Sequence, residues 1–195
     1  MIKRTHIGLA TVLALSFLVA AGFSLAFIED GDRARPSDTA LAMTDQHGNP
    51  VTREIFKGKP TALFFGFTHC PEVCPTTLSE LTVAARNLGE KADELNVVFV
   101  TVDPERDTPS VLADYVGAFD ERIVALTGSQ DQLGAMARDW GVFYEKVPLE
   151  DGNYTMDHTS TVFLINRAGE FTGTIGYGED IGMAARKLLR LVDQS

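Results

Sequence analysis

Residues 61–78 read TALFFGFTHCPEVCPTTL, a seven-residue apolar run that passes at once into a segment holding Cys70 and Cys74, the two cysteines of the chain. The run from Thr61 to Phe67 has the length and continuity of a central strand covered on both faces. Beyond the cysteines, Leu78, Leu81, Ala84, Ala85 and Leu88 recur at helical spacing, and Val97 to Val102 reads as a second buried strand. Strand, helix and strand in that order make a right-handed βαβ unit. The thiol pair therefore stands where a strand hands the chain to a helix.

Working outward, Asp45-Gln46-His47-Gly48-Asn49-Pro50 has the composition of a turn between two short strands. On the other side, Thr108 is the expected N-cap and Pro109 the first residue of a helix reaching about Phe119. A short strand at Ile123 to Leu126 follows, then a helix from Ser129 to Trp140 that Gly141 stops. Val142 to Val147, Thr161 to Asn166 and Phe171 to Ile175 read as strands, the last two joined by the turn Arg167-Ala168-Gly169-Glu170. The last element is an amphipathic helix from about Glu179 to Val192. This order predicts an α/β thioredoxin-like fold over residues 40–195, a central mixed sheet flanked by helices. Fold alone does not establish function.

The chain has 195 residues, 45% of them hydrophobic and 23% charged, enough for one ordinary globular domain. Its 27 acidic residues outnumber 17 basic ones, which argues against nucleic acid as a partner because phosphate binding needs a basic face. Residues 7–28, IGLATVLALSFLVAAGFSLAFI, carry no charge. At ~1.5 Å per residue that segment spans ~33 Å as a helix, enough for a single-pass transmembrane anchor. Lys3 and Arg4 within residues 1–6 give a short cytoplasmic N-terminus, and Glu29, Asp30 and Asp32 lie on the far side. The expectation is an inner-membrane protein whose C-terminal domain lies in the periplasm or an equivalent exported compartment, joined through a tether at residues 29–39. Ser24-Leu25-Ala26 offers a small-x-small cleavage site and thus the competing reading of a signal peptide.

Two thiols four residues apart suit redox or metal chemistry. Four residues of helix rise ~6 Å, within the Cα separation that a disulfide tolerates, whereas thiolates sharing a tetrahedral ion at ~2.3 Å lie ~3.8 Å apart. A helix start would favour the thiolate form that both chemistries need. Pro71 and Pro75 argue for a bent helix start or a loop, since Pro75 lacks the donor that a helix begun at Pro71 requires. A metal site needs a further ligand, with His47, His69, His158 and a few Met and Asp residues as candidates. His158 is the best placed, in the loop Tyr154-Thr155-Met156-Asp157-His158-Thr159-Ser160 that precedes the strand at Thr161 and would pack on the dithiol turn. Two thiolates and an imidazole favour Cu(I), with zinc as the main competitor.

Three strings carry a family resemblance: Gly66-Phe67-Thr68-His69-Cys70-Pro71-Glu72-Val73-Cys74-Pro75-Thr76-Thr77, Val102-Asp103-Pro104-Glu105-Arg106-Asp107-Thr108-Pro109, and Asp157-His158-Thr159-Ser160. In that order they resemble the Sco/SenC copper chaperones, over about residues 40–193. The resemblance implies one copper ion per chain, as Cu(I) or Cu(II), bound by Cys70, Cys74 and His158. It also implies work on the binuclear copper site of cytochrome c oxidase subunit II or a similar copper protein, by copper transfer or by reduction of that subunit's cysteines, after loading by a copper donor chaperone. Asp103 and Asp107 match the family's acidic motif and are expected beside the ligands, in competition with plainer roles as a chain turn and a helix cap.

A second class is an exported thiol-disulfide oxidoreductase using Cys70 and Cys74 catalytically, with copper regulatory or incidental. His158 separates the two, because a pure dithiol exchanger does not need it. A peroxiredoxin-like reading of Cys74-Pro75-Thr76 fails, because Phe67 and Pro71 stand where Pro and Thr would have to be. Met156 is expected as an apolar filler, His6 and His47 as incidental, and Trp140 with Tyr144 as core.

Overall fold

The computed structural model describes residues 43–194. The expected N-terminal segment, anchor and tether at residues 1–39 lie outside the described residues, and no helix among those described is long and apolar enough to cross a membrane. The strands are β1 (Met43–Asp45), β2 (Pro50–Val51), β3 (Thr61–Gly66), β4 (Asn96–Thr101), β5 (Ile123–Thr127), β6 (Tyr144–Pro148), β7 (Tyr154–His158), β8 (Val162–Ile165) and β9 (Phe171–Ile175). The helices are α1 (Val73–Arg86), α2 (Pro109–Gly117), α3 (Gln130–Trp140) and α4 (Ile181–Asp193).

Seven strands form one sheet in the order β2-β1-β5-β4-β3-β8-β9. Its centre is the expected βαβ unit, with β3 parallel to β4 from Thr61 opposite Asn96 to Gly66 opposite Thr101. β4 and β5 are also parallel, whereas β1 on β5, β8 on β3 and β9 on β8 are antiparallel, so the sheet is mixed. Every residue of β3 is buried, as a strand covered on both faces requires. Leu78, Leu81, Ala84 and Ala85 of α1 join Leu112 and Val116 of α2, Leu133 and Met136 of α3, and Ala184 and Leu188 of α4 in one core cluster with the sheet. Trp140 is half-buried and packs against the core, on the rings of Phe56 and Phe163 at 5.7 and 5.8 Å between centroids, as does the half-buried Tyr144.

Helix boundaries follow their caps. Thr108 Oγ1 accepts from Val111 N, with Pro109 at the first helical position. Ser129 and Gln132 form a capping box, and Gly141 closes α3 in the left-handed conformation at φ 64°. Asp180 caps α4, so that helix begins at Ile181 rather than Glu179.

Three expectations are corrected. α1 starts at Val73, and Thr76 N makes its first helical bond, to Glu72 O. Pro75 is then the third helical residue, where no intrahelical partner would exist for an N–H, so neither a bend nor a loop is needed. The segment Tyr154–His158 is a strand and not a loop: it pairs with β6 in a separate two-stranded sheet, Tyr144 opposite His158 and Pro148 opposite Tyr154. That pairing also moves the strand expected at Val142 to Val147 onward to Tyr144–Pro148. Thr108 caps α2 as expected, so the competing cap role for Asp107 does not apply.

Candidate metal centre

Three separate elements converge at the end of β3. Cys70 lies in the turn after that strand, its N–H bonded to Phe67 O at 3.3 Å. Cys74 is the second residue of α1 and is fully buried. His158 ends β7. The ligand atoms of Cys70, Cys74 and His158 all lie within 4.8 Å of one another, a group able to hold a metal ion. Donors ~2.3 Å from a shared tetrahedral ion stand ~3.8 Å apart, so small side-chain rotations close the set.

The imidazole is held in one orientation. His158 Nδ1 lies 3.0 Å from Thr159 O, and a carbonyl only accepts, so Nδ1 carries a proton while Nε2 faces Cys74 Sγ at 3.5 Å. Phe67 and Phe64 meet the ring edge-on, with centroids at 5.7 and 6.3 Å, and exclude water from that side. Gly66 lets the chain close up: a Cβ there would sit 2.9 Å from Cys74 Sγ and 2.7 Å from the Phe99 ring.

Both cysteines are free, Cys70 half-buried and Cys74 buried. They share one proton unequally. The hydrogen bond from the Cys74 thiol, aided by backbone N–H groups at the start of α1, lowers the Cys70 pKa to about 4 against the opposing effect of burial. Donating that bond, and then burial, push the Cys74 thiol up. Cys74 N donates to Cys70 Sγ at 3.3 Å, so the helix start does present an N–H to the sulfur as its sequence implied.

The two aspartates lie one layer out, and among the described residues no hydrogen bond joins either to a cysteine or to His158. Asp107 is fully buried and accepts from Thr68 N at 3.0 Å, Thr68 Oγ1 at 2.6 Å and Thr101 Oγ1 at 2.5 Å. It therefore fixes the turn that presents Cys70. Asp103, also buried, accepts from Tyr154 Oη at 2.9 Å and from Arg106 Nε. His69 turns away from the thiols, its Nδ1 3.1 Å from Thr68 Oγ1, and His47 sits in the exposed turn between β1 and β2. Gly66, Arg106 and Tyr154 are residues whose part in the site no motif reading singled out. The alternation Tyr154, Met156, His158, a strand face, was the available signal. A cleft of about 460 Å³ lined by Thr172, Lys187, Arg190 and Gln194 contains none of the three donors.

Fold and site together define a thioredoxin-like domain carrying a partly buried dithiol and imidazole suited to a soft metal ion. Comparison with known proteins gives the family. The SCO1/SenC family model matches residues 30–193, and the chain belongs to that family. The mitochondrial SCO2 homologue of Mus musculus is 34% identical over 192 residues, covering 89% of this chain and 75% of that protein. Among solved structures, ScoI from Bradyrhizobium japonicum with copper bound is 42% identical, with a TM-score of 0.71 over 76% of this chain and 95% of that one. Arabidopsis thaliana ScoI with copper bound is 33% identical, with a TM-score of 0.75 over 80% and 97%. BsSco, described as a member of the Sco family of cytochrome c oxidase assembly proteins, shares the fold at 22% identity and a TM-score of 0.60 over 77% of this chain and 88% of that one.

Proposed function

We propose that this chain is a membrane-anchored copper chaperone serving assembly of the binuclear copper site of cytochrome c oxidase subunit II, with one copper ion per chain as its cargo. The observation that carries the reading is the meeting of Cys70, Cys74 and His158 within 4.8 Å. Thiolate sulfur selects Cu(I) over harder ions, and an imidazole completes a three-donor set that also accommodates Cu(II). Copper bound in two relatives at 42% and 33% identity supports the choice of metal. Cys74 is the buried donor and Cys70 the half-buried one, so incoming thiolates of the target would reach the ion from the Cys70 side. The uncharged residues 7–28 supply the anchor in this reading and place the domain on the exported side of the membrane, in reach of a copper donor chaperone and the oxidase subunit.

The unequal acidities favour a second use of the same pair. The Cys70 thiolate attacks a disulfide of the target, forms a mixed disulfide and expels one target thiolate. Cys74 then gives up its proton and attacks the Cys70 sulfur, which closes the Cys70–Cys74 disulfide and releases the second target thiol. Two electrons pass to the target, whose reduced cysteines are the form that accepts copper.

The test uses the full chain in detergent, reduced and titrated anaerobically with Cu(I) against a chelator. One copper per chain is expected, with tight binding lost when Cys70, Cys74 or His158 is singly replaced by Ala. Undiminished affinity in His158→Ala would remove the three-donor site. Equal thiol exchange by wild type and His158→Ala, without copper retention by either, would leave the oxidoreductase reading.

A further inference from the structure

The third donor is carried by an element that the main sheet does not hold. Among the described residues β6 and β7 pair only with each other, and His158 is the last residue of β7. Tyr154, Met156 and His158 share one face of that strand, and Met156 is buried. At ~3.3 Å per residue, Tyr154 lies ~13 Å along the strand from His158, at the far end of the same lever.

Arg106 fastens that far end. Its Nη1 donates to Tyr154 O at 3.1 Å, and its guanidinium carbon lies 3.8 Å from the centre of the Tyr154 ring. Its Nε donates to the buried carboxylate of Asp103, which also accepts from Tyr154 Oη at 2.9 Å. The same guanidinium lies 6.0 Å from the centre of Phe67, the ring that meets His158 edge-on. Lys146 of β6 stacks on Tyr154 at 3.9 Å and reaches Glu105 at 2.7 Å. The bonds from Arg106 and Asp103 to Tyr154 and from Lys146 to Glu105 tie the hairpin to the loop after β4.

We propose that Arg106, with Asp103 and Tyr154, is a positioning residue for His158: it straps the hairpin to the domain and so sets the distance of the imidazole from the two thiols. The inference rests on the proposed role of His158 as a copper ligand. A planar guanidinium is required, because it stacks on the ring while donating in its own plane to a carboxylate and a carbonyl, which an ammonium cannot do. With the strap open, Cys70 remains in the turn after β3 and Cys74 on α1 while His158 departs with the hairpin.

The experiment compares full-length protein in detergent carrying Arg106→Met with Asp103→Asn, a pair that avoids leaving a buried carboxylate alone, in the wild-type and His158→Ala backgrounds. Cu(I) affinity is expected to fall about tenfold in the wild-type background, as for other outer partners of metal ligands, and to show no further fall once His158 is absent. Equal losses in both backgrounds would overturn the strap, since they would mean general damage. Tyr154→Phe, which removes only the bond to Asp103, is expected to give a smaller loss with the same background dependence, and keeps the test decisive if the double variant does not fold. A metal-free readout is the NMR spectrum of the His158 ring protons: weakened contacts with the Phe67 and Phe64 rings are expected in the strap variants, and unchanged contacts would overturn the inference. If His158→Ala binds copper as well as wild type, the ligand reading fails, and the ring spectrum still decides whether the strap holds the imidazole.

Discussion

Cys74 Sγ and His158 Nε2 stand 3.5 Å apart across 84 residues of chain. The contact joins the start of α1 to the end of a hairpin outside the main sheet. One partner is therefore set by the core and the other by the packing of an accessory ribbon. Variants that act on the two sides should behave differently.

Gly66 tests the core side. An added methyl would press on Cys74 Sγ at 2.9 Å and on the Phe99 ring at 2.7 Å, and both are buried without slack. Gly66→Ala is expected to cost about 1–3 kcal/mol of stability by overpacking and to weaken Cu(I) binding by displacing the Cys74 sulfur. Urea unfolding and chelator competition measure the two effects. Wild-type values in both would mean that the strand yields freely there.

Cys70 provides the pH dependence. With its pKa lowered to about 4 it is thiolate at neutral pH, and it protonates only as the pH falls through that value. Alkylation of Cys70 in the reduced, metal-free protein should stay fast down to about pH 5 and decline below it, while Cys74 stays slow throughout. Cys74→Ala removes the principal donor to the Cys70 sulfur, so the midpoint should climb towards the ordinary thiol value of ~8.5. Mass-resolved alkylation rates against pH decide it, and a wild-type midpoint near that ordinary value would refute the shared proton.

Much of this molecule can be read from residues alone, for a physical reason. β3 and β4 are continuous apolar runs, and α1 repeats its apolar residues with the helical period, so local pattern and tertiary burial agree. The two thiols and His158 stand out because few other residue types bind soft metals. β7 escaped because Tyr154-Thr155-Met156-Asp157-His158 is polar, short and paired only within its own hairpin, which leaves little hydrophobic pattern to detect. Arg106 and Tyr154 escaped because their partnership spans 48 residues and depends on where the hairpin folds back. Pro75 misled because its meaning depends on whether the helix begins at Pro71 or Val73, and boundaries are set by caps more than by composition.

Asp120 should govern acid stability away from the site. Arg122 donates to it through Nε at 2.9 Å and Nη2 at 2.8 Å, which lowers its pKa to about 2. A depressed carboxylate stabilises the fold above its unfolded pKa of ~3.9 and loses that contribution as the pH falls through the folded value. Because Arg122 is partly solvated, Asp120→Asn is expected to cost only about 1 kcal/mol at neutral pH, with the difference from wild type closing near pH 2. Urea unfolding at the two pH values measures it, and a difference independent of pH would assign the effect to packing.

Asp107 tests the turn that presents Cys70, and it separates stability from site geometry. Its buried carboxylate takes three bonds, two from Thr68 and one from Thr101, and Thr68 lies two residues before the cysteine. Asp107→Ala removes the acceptor and strands the Thr68 N–H and the Thr101 hydroxyl, at an expected cost of about 3 kcal/mol. Asp107→Asn keeps the volume and one carbonyl oxygen, so it should cost less while still loosening the turn. Because Cys74 is held by α1 and not by this turn, the alkylation rate of Cys70 should change in both variants while Cys74 stays protected wherever the domain remains folded. If Asp107→Ala unfolds at the same urea concentration as wild type, the carboxylate is not what fixes the turn. If Cys70 and Cys74 become reactive together, the loss is global unfolding and not release of the Cys70 turn.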